Sequence, residues 1–314
     1  MGIVPKISIV TPSYNQGEFL EETINSILNQ NYQNLEYIII DGGSTDNSVE
    51  IIRKYEEHLS YWISEKDEGQ SHAINKGFAI ATGEICNWIN SDDILAPNAL
   101  QNISKAFINN PNVDFVHGKN GIIDSESKLT GWTQHPKGEL KLQYFYGMPY
   151  GQQACFFTKK IFDKVGGVNE KISFSMDFDL YTKIHLRAKA LQIEDHIGSI
   201  RIHPTTKTNN LQNEMYYDNG CIMATLFRSL RNENYYNQLA RLGFKSYEKY
   251  DVEIELEKNT QTEIWLGYLH KSFWYYYENG EKRIAKHFLY SLIRYGRMKL
   301  FNKETLKLIK DLAF

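Results

Sequence analysis

Carboxylates recur just past short apolar runs in the first third of this 314-residue chain. The run Leu35–Asp41 ends in an aspartate and leads into Gly42-Gly43-Ser44-Thr45-Asp46. Leu59–Ser64 is followed by Glu65-Lys66-Asp67-Glu68, and Ile85–Ile89 by Asn90-Ser91-Asp92-Asp93. A fourth run, Ile7–Thr11, leads into Pro12-Ser13-Tyr14-Asn15. An acidic rim of this kind calls for a cation. Hard divalent ions prefer carboxylate oxygen, and Mg²⁺ is commonly held by one or two carboxylates together with substrate phosphates. Asp and Ser also cap helices, and for Asp46 and Asp67 the two readings stand level. Adjacent Asp92 and Asp93 repel one another unless something neutralises them, so a metal is the reading there.

These groups need elements to hold them. Gly17–Gln30 has apolar residues at Phe19, Leu20, Ile24, Ile27 and Leu28, which is helical spacing. Helices are also expected near Val49–Tyr55 and through Ile74–Ala81. The four apolar runs lack polar alternation, the mark of strands buried on both faces of a parallel sheet. Alternating strands and helices with right-handed crossovers make a doubly wound α/β domain. Ligands bind beyond the carboxyl ends of such strands, where the acids lie. From about Asp114 the strands shorten (Phe115–Gly118, Gln153–Thr158, Ile200–His203), with a helix over Ser175–Arg187. After Pro204 the chain reads as helical to its end, with breaks near Asn209, Asn259 and Gly280, and its last two helices can pair as a hairpin.

Thr11–Asn15, Asp41–Asp46 and Asn90–Asp93, taken as an ordered set, resemble the signature of glycosyltransferase family 2, inverting enzymes with a GT-A fold. The resemblance covers about residues 6–205. It implies a catalytic domain over 1–205, with a nucleotide-binding half (1–112) and an acceptor and base half (113–205), then a helical extension over 206–314. It also implies that Thr11, Pro12, Tyr14, Asn15, Asp41, Asp67, Asn75 and Asp92 hold the nucleotide, and that Asp93 holds Mn²⁺ or Mg²⁺. Two positions depart from the pattern: Gly42 stands where many members carry a second acid that reads the base, and Asn90 where Asp is frequent.

Ser173-Phe174-Ser175-Met176-Asp177-Phe178-Asp179-Leu180-Tyr181 is similar to the family's base-bearing segment, which makes Asp177 the general base. A sugar hydroxyl is a poor nucleophile, so a carboxylate must take its proton as it attacks C1. Asp179 reads as a first-turn acid favoured by the helix dipole. In the resemblance His203, within Arg201-Ile202-His203-Pro204, faces the nucleotide and is a candidate metal ligand, with a structural role as the alternative. Gln152 and Gln153 fall on the acceptor side, where carboxamides suit sugar hydroxyls or strand edges equally. Trp88 and Trp132 could stack on sugars, but aromatic residues more often fill cores.

Composition excludes several classes. No stretch approaches about 18 consecutive apolar residues, so no spanning helix is expected. The N-terminus lacks a signal-peptide pattern, which points to the cytoplasm. Three widely spaced cysteines form neither a disulfide framework nor a metal cluster. Residues 281–314 carry net +6 and residues 1–280 net −9, so the body is not that of a duplex-binding protein. The basic C-terminal segment, with Ile284, Phe288, Leu292 and Tyr295 on one side, either lies on an anionic membrane or packs on the rest of the chain. The expected activity is therefore metal-dependent, inverting transfer from a nucleotide-diphosphate sugar, UDP favoured. The sugar is a hexosyl or N-acetylhexosaminyl group, and the acceptor a lipid-linked glycan in surface polysaccharide assembly. A sugar-1-phosphate nucleotidyltransferase would want a Gly-rich basic loop that Thr11–Glu18 does not offer. A non-catalytic nucleotide-sugar-binding module would have shed the acids that Asp92, Asp93 and Asp177 retain.

Overall fold

Ile7, Ile9, Val10 and Ile38 to Ile40 are at most 1% exposed, and each such side chain contributes about 1.5–3 kcal/mol by leaving water. These residues seed the sheet of the first half of the chain. A computed structural model describes residues 4–133, 143–145, 148, 150–204, 206 and 212–295. In chain order the first half comprises β1 (Ile7–Ser13), α1 (Gly17–Leu28), β2 (Leu35–Asp41), α2 (Ser48–Lys54), β3 (Tyr61–Ser64), α3 (Gln70–Ile80), β4 (Ile85–Trp88), β5 (Ile94–Leu95) and α4 (Ala99–Asn109). It continues through β6 (Phe115–Ile123), β7 (Leu129–Trp132), β8 (Cys155–Thr158), α5 (Lys159–Lys164), α6 (Met176–His185) and β9 (Ala190–Arg201).

Sheet order is β3-β2-β1-β4-β8-β6-β9-β5, with β7 paired to β6. β1, β2, β3 and β4 run parallel, whereas β8 joins β4 and β6 antiparallel. Register aligns Ser13 with Asp41 and Asp41 with Ser64, so the loops after β1, β2 and β3 open at one edge. α1 buries Phe19, Leu20, Ile24 and Ile27, the residues its periodicity singles out. Gly17 starts it, since any Cβ there would collide with the Asn47 amide.

The second half departs from the short strands expected. β6 runs on to Ile123, and β9 starts at Ala190 instead of Ile200. The two pair in parallel along most of their length, with register shifts near Lys119. Polar residues such as Lys119, Gln192 and Glu194 break the apolar pattern in sequence while the backbone ladder continues. Gly118 is required where the strands crowd, because its Cβ would meet Ile197 and the Asp195 carbonyl.

Contacts divide the chain into one unit of Met1–Lys137 and Pro149–Asp218 and another of Gly138–Met148 and Asn219–Phe314. The division falls inside α7 (Gln212–Ser229) and not at 205/206, because the first residues of that helix pack with the first unit. The second unit holds α8 (Glu233–Arg241), α9 (Lys258–Glu278) and α10 (Lys282–Tyr295). Trp265 stacks on Tyr235 at 4.9 Å, and Phe288 lies against Tyr268 and Tyr276. α9 and α10 thus pair as expected. A break comes at Gly280, in the left-handed region at φ 78°. The break expected near Asn259 is the non-helical stretch 242–257 that ends where α9 begins, and the break expected near Asn209 lies outside the described residues. Among the described residues no helix is long and apolar enough to cross a membrane.

Candidate active site

The loops after β1 and β2 are laced together. The Gly42 amide donates to the Ser13 carbonyl, the Asn15 amide to Ser44 Oγ, and the Thr45 amide to Asn15 Oδ1 at 2.8 Å. Asn15 takes a left-handed φ of 51°, which asparagine tolerates. The strand end thereby presents Tyr14, 61% exposed, as an open aromatic surface at the rim. Thr11 does not face the rim. It is buried, with its hydroxyl on Tyr37, and Pro12 is buried beside it. Only the backbone of those two positions is left to shape the loop. Ser13, absent from the candidate set, has a buried hydroxyl with no partner among the described residues.

Asp41 departs from expectation. Its carboxylate is fully buried and accepts hydrogen bonds from the Gly43 and Ser44 amides and from the Ser44 and Ser64 hydroxyls. With four donors on it, Asp41 shapes the loop that was expected to hold the nucleotide. Asp46 is a cap, accepting from the Gly17 and Ser48 amides. Asp67 is half-buried, accepts from the Gly69 amide, and lies 2.9 Å from where a Cβ on residue 42 would stand, so Gly42 makes room for it. Asn75 is also redirected. Its carboxamide exchanges hydrogen bonds with the Val168 backbone and donates to Glu170, pinning the loop before α6.

At the end of β4 the structure reverses the expected order of the two acids. Asp93 is 1% exposed and accepts from the Arg201 amide at 2.9 Å, the Asn90 carboxamide at 2.9 Å and the Gln153 carboxamide at 2.6 Å. Burial, then the neighbouring Asp92 charge, pushes its carboxyl up from the usual range, against those three donors. Asp93, expected to hold the metal, is thus turned inward onto these three donors. Asn90 now has a physical reason. An aspartate there would set a third carboxylate against Asp93, whereas the amide donates. Gln153 serves the same carboxylate, and Gln152 donates to Asn87 Oδ1 and the Trp88 carbonyl, so both donor groups assigned to an acceptor are engaged within the fold.

Asp92 is the more open acid. Its Oδ2 lies 3.1 Å from His203 Nε2, joining residues 111 apart in sequence. His203 packs on Phe19 at 4.7 Å between ring centroids. Among the described residues no cluster of three or more His, Cys, Asp or Glu side chains can hold a metal by itself. A pair of protein ligands completed by diphosphate oxygens is nonetheless how small divalent cations are commonly held, and Asp92 with His203 fits that pattern.

Arg201 organises this corner and was missed. Its side chain is wholly buried, donating from Nε to the Asp92 carbonyl, from Nη1 to the Asp124 carbonyl and Ser127 Oγ, and from Nη2 to Glu22. The guanidinium also sits 4.9 Å from the Phe19 ring centroid. The signal in sequence was an arginine set between Ile200 and Ile202 at a strand end, two residues before His203.

Asp177 stands in the first turn of α6 and accepts its neighbour Phe178's amide at 2.8 Å. Burial raises its carboxyl to about 6, that amide opposing the shift. The Cys155 thiol and the Tyr181 phenol lie close enough to feel its charge, and both are pushed up, chiefly by burial. Tyr181 stacks on Trp88, which is 1% exposed and so a core residue, tying α6 to β4. Asp179 is buried and paired with Lys183 at 3.1 Å, the structural role expected of it. Trp132 is half exposed on β7, its ring edge-on to His196.

Residues 8–167 match the model of glycosyl transferase family 2, and the chain belongs to that family. It is a glycosyltransferase of GT-A fold. An uncharacterised glycosyltransferase of Nostoc sp. is 37% identical over 137 residues, 42% of each chain. The chondroitin synthase of Escherichia coli is 29% identical over 187 residues, 58% of this chain and 26% of that protein. The chain thus spans less than half the length of either relative. Among solved structures, S. aureus TarS residues 1–349 with UDP-GlcNAc superposes with a TM-score of 0.60 at 17% identity, covering 84% of this chain and 81% of that one. The mannosyltransferase PcManGT of Pyrobaculum calidifontis, with GDP-Man and Mn²⁺, does so with a TM-score of 0.56 at 16% identity, covering 99% and 80%.

Proposed function

We propose that this glycosyltransferase moves a hexosyl or N-acetylhexosaminyl group, with inversion, from a nucleotide-diphosphate sugar to a hydroxyl of a growing glycan. The observation that carries the reading is Asp177, a carboxylate in the first turn of α6 whose burial raises it to about 6, suited to taking a proton near neutral pH. Asp177 accepts the acceptor hydroxyl's proton as that oxygen forms its bond to C1. The C1–O bond to the diphosphate breaks on the opposite side, and the nucleotide diphosphate leaves with the electron pair.

Asp92 and His203 would hold Mn²⁺ or Mg²⁺, with Asp93 bracing the segment from behind. When bound, the cation offsets charge building on the departing diphosphate. Tyr14 offers a stacking surface for the base, and Asp67 a carboxylate beside it. A UDP-sugar is the favoured donor, in keeping with the UDP-GlcNAc bound by TarS. GDP-Man in PcManGT is the competing precedent.

The acceptor is expected to be lipid-linked and the enzyme peripheral on the inner membrane face. α10 buries Ala285, Phe288, Leu289 and Leu292, so the apolar side expected to meet lipid is used within the second unit. What remains exposed is Lys282, Arg283, Lys286 and Arg294, with Tyr290 and Ile293 among them. That face supports attraction to anionic lipid by charge more than by insertion.

The test is a calorimetric titration with UDP, GDP, dTDP and CDP in Mn²⁺ or Mg²⁺, with EDTA as control. Metal-dependent binding of one nucleotide supports the reading and names the donor class. Absence of binding to all four overturns it.

A further inference from the structure

We infer that Asp218, on α7, is a positioning residue for Asp177. The inference rests on the reading of Asp177 as the base. Its argument begins with what is missing at the start of α6. Ser175, the residue before the helix, makes no side-chain cap, although serine at that position ordinarily accepts a hydrogen bond from the first turn. Its hydroxyl points elsewhere and donates to the Met215 carbonyl at 3.3 Å. The backbone just upstream is held from outside instead. Asp218 Oδ2 accepts the Phe174 amide at 2.9 Å and the Ser175 amide at 3.3 Å. Three hydrogen bonds from one turn of α7 therefore set the segment that leads into Asp177, with no local cap to share the task.

Asp218 is 7% exposed, so these donors have little water to turn to when it is removed. A buried amide left without a partner is costly to the fold. The cheapest relief is for residues 174–176 to shift toward solvent or rotate, and Asp177 moves with them. A displacement of about 1 Å at a reacting group can cost about 100-fold in rate. A carboxylate just before a helix N-terminus is also favoured by the helix dipole, which anchors it. Its influence is positional: the groups that set the Asp177 carboxyl are its burial and its own helix amide, not Asp218.

The test compares wild type, Asp218→Ala, Asp218→Asn and Asp177→Asn. Turnover is read as UDP released from UDP-N-acetylglucosamine, and GDP from GDP-mannose, with water as acceptor. UDP and GDP binding is measured by calorimetry, and amide exchange across residues 172–180 by mass spectrometry. Asp218→Ala should lower kcat about 10- to 100-fold, leave nucleotide affinity and donor KM within about threefold, and speed exchange at residues 174–178. Asn keeps one acceptor oxygen, so Asp218→Asn should recover most of both effects. Unchanged exchange at 174–178 in Asp218→Ala overturns the inference whether or not either donor turns over. So does loss of kcat and nucleotide binding together, which would mark a general folding role. If Asp218→Ala fails to fold, Ser175→Ala, which removes the tie to the Met215 carbonyl, carries the comparison against wild type, and unchanged exchange at 174–178 in it overturns the inference. Full turnover in Asp177→Asn would instead sink the base assignment, a distinguishable result.

Discussion

Two ends of one sheet treat carboxylates in opposite ways. Where β1 and β2 begin, Glu36 is buried, yet it accepts from the Lys6 ammonium, Ser8 Oγ, and the Thr82 amide and hydroxyl. Burial works against its charge, but those donors win and hold it down to about 2. After β4 and at the start of α6, Asp93 is buried and Asp177 half-buried, and both are raised. Among the described residues Asp177 has the backbone amides of Phe178 and of its own residue, and Asp93 has three N–H donors but a like charge beside it. The difference is a cation. Lys6 makes Glu36 a structural joint, whereas the rim keeps its acids short of positive charge and so ready for a proton or a metal.

The contrast breaks most visibly at Asp177. Asp177→Asn should cut transfer about 10²- to 10⁴-fold and yet raise stability at neutral pH by about 1–3 kcal/mol, because a buried acid raised to about 6 ionises at a cost to the fold. Steady-state turnover and thermal melts of the one variant check both. A variant that loses activity and stability together would place Asp177 among the structural acids.

Arg201→Met should rank next. It leaves the Asp92 and Asp124 carbonyls without their donor, for a loss of about 2–4 kcal/mol in denaturant unfolding, while the exposed Glu22 turns to water. At the metal corner the two adjacent acids should separate. Asp92→Asn should abolish the Mn²⁺ dependence of nucleotide binding with little change in melting temperature. Asp93→Ala should lower stability by about 2–4 kcal/mol, since it leaves three buried donors unpaired. Equal behaviour of the two variants would erase the distinction drawn between them.

The smallest effect is read in pH. Glu36 is depressed in the fold, so its contribution is complete above about 4.5 and is lost as pH falls toward about 2. Glu36→Gln should flatten that limb and cost about 1–3 kcal/mol at pH 7. Asp177 has the opposite sign. Stability declines as pH rises from about 4 to about 6, while transfer climbs through about 6 as the base ionises. Stability-versus-pH curves for wild type and the two single variants separate these limbs.

Local pattern determined a large part of this protein. Runs without regular polar alternation specified β1, β2 and β4, which are buried on both faces, while β3 at the sheet edge is only partly covered. β2 matches its expected bounds of Leu35–Asp41. Spacing specified α1, and position at a strand's end drew attention to Asp92 and His203, whereas Asp177 came from the family resemblance. Ordered motifs were enough to indicate the family. Residue type and position could not say which of two adjacent acids turns inward. Asp93 rather than Asp92 meets Arg201, Asn90 and Gln153, partners 108, 3 and 60 residues away. Nor could they show that Asp41 and Asn75 spend their oxygens on loops, or that Asp218 reaches Phe174 from 44 residues away. Hydrophobic periodicity is a local property of the chain, whereas hydrogen-bond satisfaction is settled only when distant segments meet. The tertiary structure alone decided which carboxylates are already satisfied and which remain open for chemistry.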